Sequence, residues 1–179
     1  MRSRMMALAG ALLVAASASA QGRPDLGGEW VRVDSAARPI VAAAGDASFP
    51  VGDMGSGWDS PLTIRFTADS LVIDFVHFSA YDLQPRVRYA YALDGSESRN
   101  TIMLGHYAAA QRSRVTFEGG AVVIETIHRG PADPGTRPAE YRVRQALTLT
   151  SPTTLSVETT RLAPGATGGN VVRTTWRRR

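Results

Sequence analysis

Apolar and polar residues alternate in three stretches, each of which folds back over a short turn. Leu62, Ile64 and Phe66 alternate with Thr63 and Arg65, and beyond Thr67-Ala68-Asp69-Ser70 the pattern resumes in Leu71, Ile73 and Phe75. Val115 and Phe117 alternate with Arg114, Thr116 and Glu118 ahead of Gly119-Gly120, and Val122 and Ile124 follow it. Leu147 and Leu149 precede Ser151-Pro152-Thr153, with Leu155 and Val157 beyond. A period of two bounded by Gly, Pro, Asp or Ser is the signature of a β-hairpin. Further strand candidates cover 29–33, 87–93, 141–149 and 171–177, and no stretch sustains a helical period. Only 36–44 is helix-permissive, and Pro39 interrupts it. The pattern predicts an all-β chain, an antiparallel up-and-down meander of about 8–10 strands closing into a barrel.

The hairpins also predict register. With Gly119-Gly120 as a two-residue turn, Phe117 faces Val122 and Val115 faces Ile124, while Arg114 and Glu125 meet on the reverse face. Leu149 opposes Leu155 and Leu147 opposes Val157 in the same way. One face of the sheet is therefore apolar. The other collects Arg65, Arg86, Arg88, Arg112, Arg114, Arg142 and Arg144 with Asp74, Glu125 and Glu158, a mixed-charge exterior that resists edge pairing. Three loops are long: 43–60, with Gly at 45, 52, 55 and 57; 128–138, with Pro131, Pro134 and Pro138; and the Gly-rich 163–170. Long loops gathered at one end of a meander are where a mouth or lid is expected.

The first residues carry a different pattern. Met1-Arg2-Ser3-Arg4 is basic, Met5 to Ala16 is an apolar run, and Ala18-Ser19-Ala20 supplies small residues before Gln21. This is the order of a cleaved signal peptide over 1–20, leaving a single β-barrel domain over 21–179 that works in the periplasm or is secreted. The run is too short to anchor in roughly 30 Å of hydrocarbon, so no transmembrane segment is expected in the mature chain. Loss of Arg2 and Arg4 with that peptide lowers the net charge from +4 to +2. The only block of like charge is Arg177-Arg178-Arg179, read as a solvated terminus, and no nucleic-acid partner is expected.

Two absences narrow the chemistry. The chain has no cysteine, which excludes thiol nucleophiles, thiolate metal sites, attached c-type haem and a lipidated N-terminal cysteine. It also has no lysine, all 20 basic residues being arginine, which excludes Schiff-base chemistry and phosphate-loop nucleotide binding.

Gly28-Glu29-Trp30 stands just before the first strand, and the meander after it ends in the Arg-bearing segment 171–177. This arrangement resembles the lipocalin-like (calycin) barrels, and more closely exported bacterial proteins in which a signal peptide precedes a Gly-x-Trp first strand. The turn at Tyr91-Ala92-Leu93-Asp94-Gly95 and the hairpins over 114–125 and 147–158 look similar to theirs. The resemblance implies a barrel whose end is plugged by Trp30, with Arg173 or Arg177 of the last strand packed on the ring.

The remaining chemistry rests on few residues. His77, His106 and His128 are the only side chains that titrate near neutrality without help. His77 shares a face with Leu71, Ile73 and Phe75 and so points inward, while His106 and His128 fall at strand ends or in loops. Asp53-x-Gly55-x-Gly57-x-Asp59 offers too few carboxylates for a calcium loop. Trp58, Tyr81, Tyr89, Tyr91 and Tyr107 could stack on a ligand. The leading expectation is a non-enzymatic binding module for a small apolar or amphipathic ligand, with His77, Tyr89, Tyr91 and Trp58 as ligand-binding residues and no catalytic residue, metal or cofactor. The alternatives are an accessory subunit docking on a periplasmic or membrane-associated protein complex, and a hydrolase or metal or haem protein using His77, His106 or His128. Trp58, placed in a Gly-rich loop, is expected to matter much less for stability than Trp30.

Overall fold

The computed structural model describes residues 23–33, 58, 61–76, 86–104, 107–129, 140–162 and 170–179. Ten strands follow one another: β1 (Gly28–Arg32), β2 (Leu62–Phe66), β3 (Ser70–Val76), β4 (Arg86–Ala92), β5 (Ser98–Leu104), β6 (Tyr107–Glu118), β7 (Ala121–Arg129), β8 (Glu140–Ser151), β9 (Thr154–Leu162) and β10 (Asn170–Arg178). All pairings are antiparallel and the sheet order is β4-β3-β2-β1-β10-β9-β8-β7-β6-β5. The chain is thus the all-β meander its alternation predicts, with β1 and β10 joining its two halves.

The hairpin registers follow from the turns. Gly119 and Gly120 adopt φ of 54° and 84°, the left-handed pair that a two-residue hairpin turn requires. That turn sets Phe117 against Val122, Val115 against Ile124 and Arg114 against Glu125. Leu147 opposes Val157 and Leu149 opposes Leu155. The strands of these hairpins run further than their alternation indicates, and β7 includes His128. β5 has no counterpart among the sequence-predicted strands, because Ser98-Arg99-Asn100-Thr101 is polar throughout and shows no period.

β4 and β5, the two edges of the sheet, nearly close it into a barrel with no backbone ladder between them. Asn100 of β5 accepts the Ala90 N–H at 2.8 Å and donates to the Ala90 carbonyl at 3.1 Å, and Ser98 Oγ accepts the Ala92 N–H at 2.7 Å. One side-chain amide thereby replaces a residue of ladder. Asn100→Ala is expected to lower stability by about 1–3 kcal/mol, because it strands two backbone groups of β4. Faster hydrogen exchange at the Ala90 amide, with exchange at Val157 of β9 in the middle of the sheet little changed, would locate the loss at this seam.

The barrel interior holds one apolar cluster, in which Leu62, Ile64, Val115, Ile124, Leu147 and Val157 are all buried. The exterior is charged, and its arginines are largely paired: Arg65 and Arg88 with Asp74, Arg144 with Glu118, Arg129 and Arg112 with Glu140, and Arg173 with Glu158. Arg114 and Glu125 face one another in register, but Arg114 reaches the Gly95 carbonyl instead. Ion pairs stand where a lipid-facing barrel carries an apolar band. No helix among the described residues is long and apolar enough to cross a membrane.

One end is sealed by the Gly-x-Trp segment. Trp30 is fully buried, its Nε1 donates to the Leu26 carbonyl at 2.9 Å, and the Arg178 guanidinium lies 4.8 Å over its ring. Arg178 is opposite Trp30 in the β1–β10 register and donates to the Asp25 carbonyl at 2.6 Å. Gly28 sits two residues before the ring on the same face with φ of 134°, and a Cβ there would stand 3.5 Å from the Arg178 stem. The glycine therefore provides a backbone conformation that other residues rarely adopt, and a Cβ would make only ordinary contact with the arginine stem. The stacked arginine is Arg178, one position beyond the segment expected to supply it. Arg173 points outward to Glu158, and Arg177 is exposed on the outer face.

Candidate functional site

The up-and-down order places the connections β1–β2, β3–β4, β5–β6, β7–β8 and β9–β10 at one end and the tight turns at the other. The three long loops of the sequence are among the former. Between the two ends the inward-facing residues change character. On β6, Val115 near the turn gives way to Ser113 and Gln111; on β7, Val122 and Ile124 give way to Thr126 and His128; on β8, Leu147 gives way to Gln145; on β9, Leu155 and Val157 give way to Thr159. The exchange is not uniform, since β8 returns to the buried Val143 beyond Gln145 and its partner on β9 is Arg161.

Register ties these residues together. Asn100, Gln111, His128 and Tyr141 form a continuous row across β5, β6, β7 and β8. Ser113 and Thr126 are directly opposed, and their hydroxyls share a hydrogen bond of 2.8 Å. Gln145 lies between Ile124 and Thr159. From the other side of the seam comes Tyr91 of β4, whose hydroxyl stands beside the Trp58 indole and the Gln111 amide without a well-aligned bond to either.

Five side chains of this set are buried with polar atoms that lack partners: Trp58 Nε1, the Tyr91 hydroxyl, and both polar atoms of Gln111, His128 and Gln145. A buried group left unsatisfied costs roughly 1–3 kcal/mol. The Tyr91 hydroxyl, the Trp58 indole and the Gln111 amide lie beside one another, which offsets part of that cost. Gln145 and His128 suit an interior in which a hydrogen-bonding occupant completes their bonds better than a dry core.

The inward polar residues of β6, β7 and β8 are uncharged, while Arg161 of β9 shares their face opposite Val143. Burial lowers the His128 pKa to about 4, so the ring is uncharged at neutral pH and offers one donor and one acceptor. Its cross-strand neighbours are Gln111 and Tyr141, and among the described residues no carboxylate faces it. Burial likewise pushes the Tyr91 phenol up, keeping it a donor.

Several expected site residues meet here. Tyr91 and Trp58 stand beside Gln111, and Tyr89 packs in the same core, 5.7 Å edge-on from Phe75 and 6.4 Å from Tyr91. Trp58 is 3% exposed and belongs to the core, so a low structural weight does not follow for it. His128, read as a strand-end or loop residue, faces inward from the end of β7 at 1% exposure. His77, His106 and the Asp53–Asp59 loop lie outside the described residues. Gln111, Ser113, Thr126, Gln145 and Thr159 have no place among the sequence candidates. Their signal was parity, since each occupies an inward position of an alternating strand.

Two clefts lie on the outer surface. One of about 220 Å³ lies over Arg112, Ile127, Arg142 and Leu162, and one of about 440 Å³ over Arg65, Asp74 and Arg88. Most of the arginines named here are already neutralised by carboxylates. Comparison with protein-family models, curated proteins and solved structures finds no match for the chain. The functional reading therefore stands on the barrel and its buried polar residues.

Proposed function

We propose that this barrel is a non-enzymatic binding protein that takes a small amphipathic molecule into its interior from the loop end. The observation that carries the reading is the set of five buried side chains whose polar atoms have no partner, set above an apolar floor of Val115, Ile124, Leu147 and Val157. The apolar part of the ligand rests on that floor and its polar part meets Gln111, His128 and Gln145. The plug of Trp30 under Arg178 supports a lipocalin-like assignment by analogy of fold, and the leader-like residues 1–20 support work in the periplasm or outside the cell.

A titration with N-phenyl-1-naphthylamine, a neutral fluorophore that brightens in apolar surroundings, tests the reading. One saturable site per chain is expected. Val143→Phe places a ring into the chamber from β8 and is expected to weaken that site at least tenfold with the circular dichroism spectrum unchanged. Absence of saturable binding by the unsubstituted chain, or equal binding by a folded Val143→Phe variant, would remove the basis for a ligand carrier.

A further inference from the structure

We infer that the seam between β4 and β5 is the door of the barrel. A ligand reaches the interior when these two edge strands part, and Asn100 with Ser98 forms the latch that holds them together. This rests on the binding reading above and supplies the route that reading needs.

Access is the first argument. Gln111, His128, Tyr91 and Trp58 are between 0% and 3% exposed, so a ligand meets their polar atoms only after some part of the barrel moves. Every other pair of neighbouring strands is joined by a backbone ladder. Among the described residues, β4 and β5 are held instead by three side-chain bonds, from Asn100 to both polar groups of Ala90 and from Ser98 to the Ala92 N–H. The ladders of β1 are short, but that strand is fastened at its plug, where Trp30 bonds Leu26 and lies under Arg178. The β4–β5 seam is therefore the joint that opens with the fewest backbone bonds lost.

Direction is the second. Alternate residues of an antiparallel strand turn their N–H and C=O groups towards the same neighbour. Ala90 and Ala92 turn theirs to β5, so Arg88 and Arg86, nearer the loop end, do the same. No ladder from β5 meets them. The seam is thus unlaced from the loop end down to Asn100 and latched from there to the turn. What lies behind the latch is the third argument. Asn100 is directly opposite Gln111 on β6, and the Gln111 amide stands beside the Tyr91 hydroxyl and the Trp58 indole. Three of the five side chains with unmade hydrogen bonds are therefore gathered at the inner side of this seam, where a parting of the strands uncovers them.

The test measures rates. Stopped-flow mixing with N-phenyl-1-naphthylamine reads association, and dilution of the complex reads dissociation. Asn100→Ala combined with Ser98→Ala removes the latch, and both rate constants are expected to rise together by about tenfold or more, since three hydrogen bonds no longer oppose opening. The dissociation constant is expected to change less than about threefold, because a door speeds entry and exit alike. Ser98→Ala alone keeps both Asn100 bonds, so it holds the fold if the double variant does not, and is expected to raise both rates about twofold or more. Trp30→Phe, weakened at the plug and not at the seam, is expected to leave both rates within about twofold of the unsubstituted chain. Unchanged rates in the folded latch variants would overturn the door and leave the carrier reading standing. So would a rise in dissociation alone, which would make these residues part of the ligand's hold, or an equal acceleration in Trp30→Phe, which would mean general loosening. Failure of the fluorophore to bind the unsubstituted chain would overturn both readings.

Discussion

Trp30→Ala is expected to lower folding stability by ~3–5 kcal/mol, the range for deleting a large buried aromatic. Three interactions disappear together: the packing of a fully buried indole, its hydrogen bond to Leu26 at 2.9 Å, and the Arg178 guanidinium stacked at 4.8 Å. With domain stabilities commonly 5–15 kcal/mol, the midpoint of urea unfolding should shift by a large fraction of its value. Trp58 supplies the control, because it is nearly as buried and differs in hydrogen bonding. Trp30→Phe deprives the buried Leu26 carbonyl of its donor, whereas Trp58→Phe deletes an N–H that has no partner. The first should therefore cost clearly more than the second. Equal urea midpoints for the two phenylalanine variants would contradict the plug.

The same contrast shows what the sequence could disclose. Fold class was legible because hairpins announce themselves through local alternation and through turn residues such as Gly119-Gly120, both of which lie within a few positions. The plug was legible as a motif, but its partner was not. Arg173, Arg177 and Arg178 all belong to one strand, and only the β1–β10 register decides which of them crosses Trp30. β5 escaped notice because its closure role depends on Asn100 and Ser98 bonding across a seam, a non-local arrangement that leaves no hydrophobic period. The candidate site was half legible. Its aromatic members Tyr91 and Trp58 invite a ligand reading by type. Gln111, Gln145, Ser113 and Thr126 become visible only when an inward parity has been fixed and a polar residue is found on it. His128 shows the reverse difficulty, since its neighbours Arg129 and Gly130 suggest a loop end while its parity with Ile124 and Thr126 turns it into the barrel.

Acidification should destabilise the barrel through that histidine. Burial lowers the folded-state pKa of His128 to about 4, while in the unfolded chain it titrates near the ordinary histidine value of 6.5. Above pH 6.5 neither state carries the extra proton, and stability is independent of this group. Between 6.5 and about 4 the unfolded state binds a proton that the folded state refuses, so stability falls as pH falls. The loss reaches about 2 kcal/mol by pH 5 and about 3 kcal/mol by pH 4, then levels off as the buried ring protonates. The groups facing the ring across β6 and β8 are Gln111 and Tyr141, with Thr126 two residues along β7, and none of them ionises in this window. Asp69 and Asp94 are held below the usual carboxylate range by hydrogen bonds to Thr67 and Ser96 respectively. The stability they contribute is present above their unfolded value of 3.8 and fades only as pH falls below it, which separates their effect from that of His128. Urea unfolding at pH 7.5, 6, 5 and 4.2 is the measurement. The unsubstituted chain should lose stability across the series, and His128→Gln, which keeps an uncharged donor and acceptor on the same inward position, should lose much less. Parallel curves for the two proteins would show that His128 does not face a dehydrated interior, and the chamber built around it would lose its central residue.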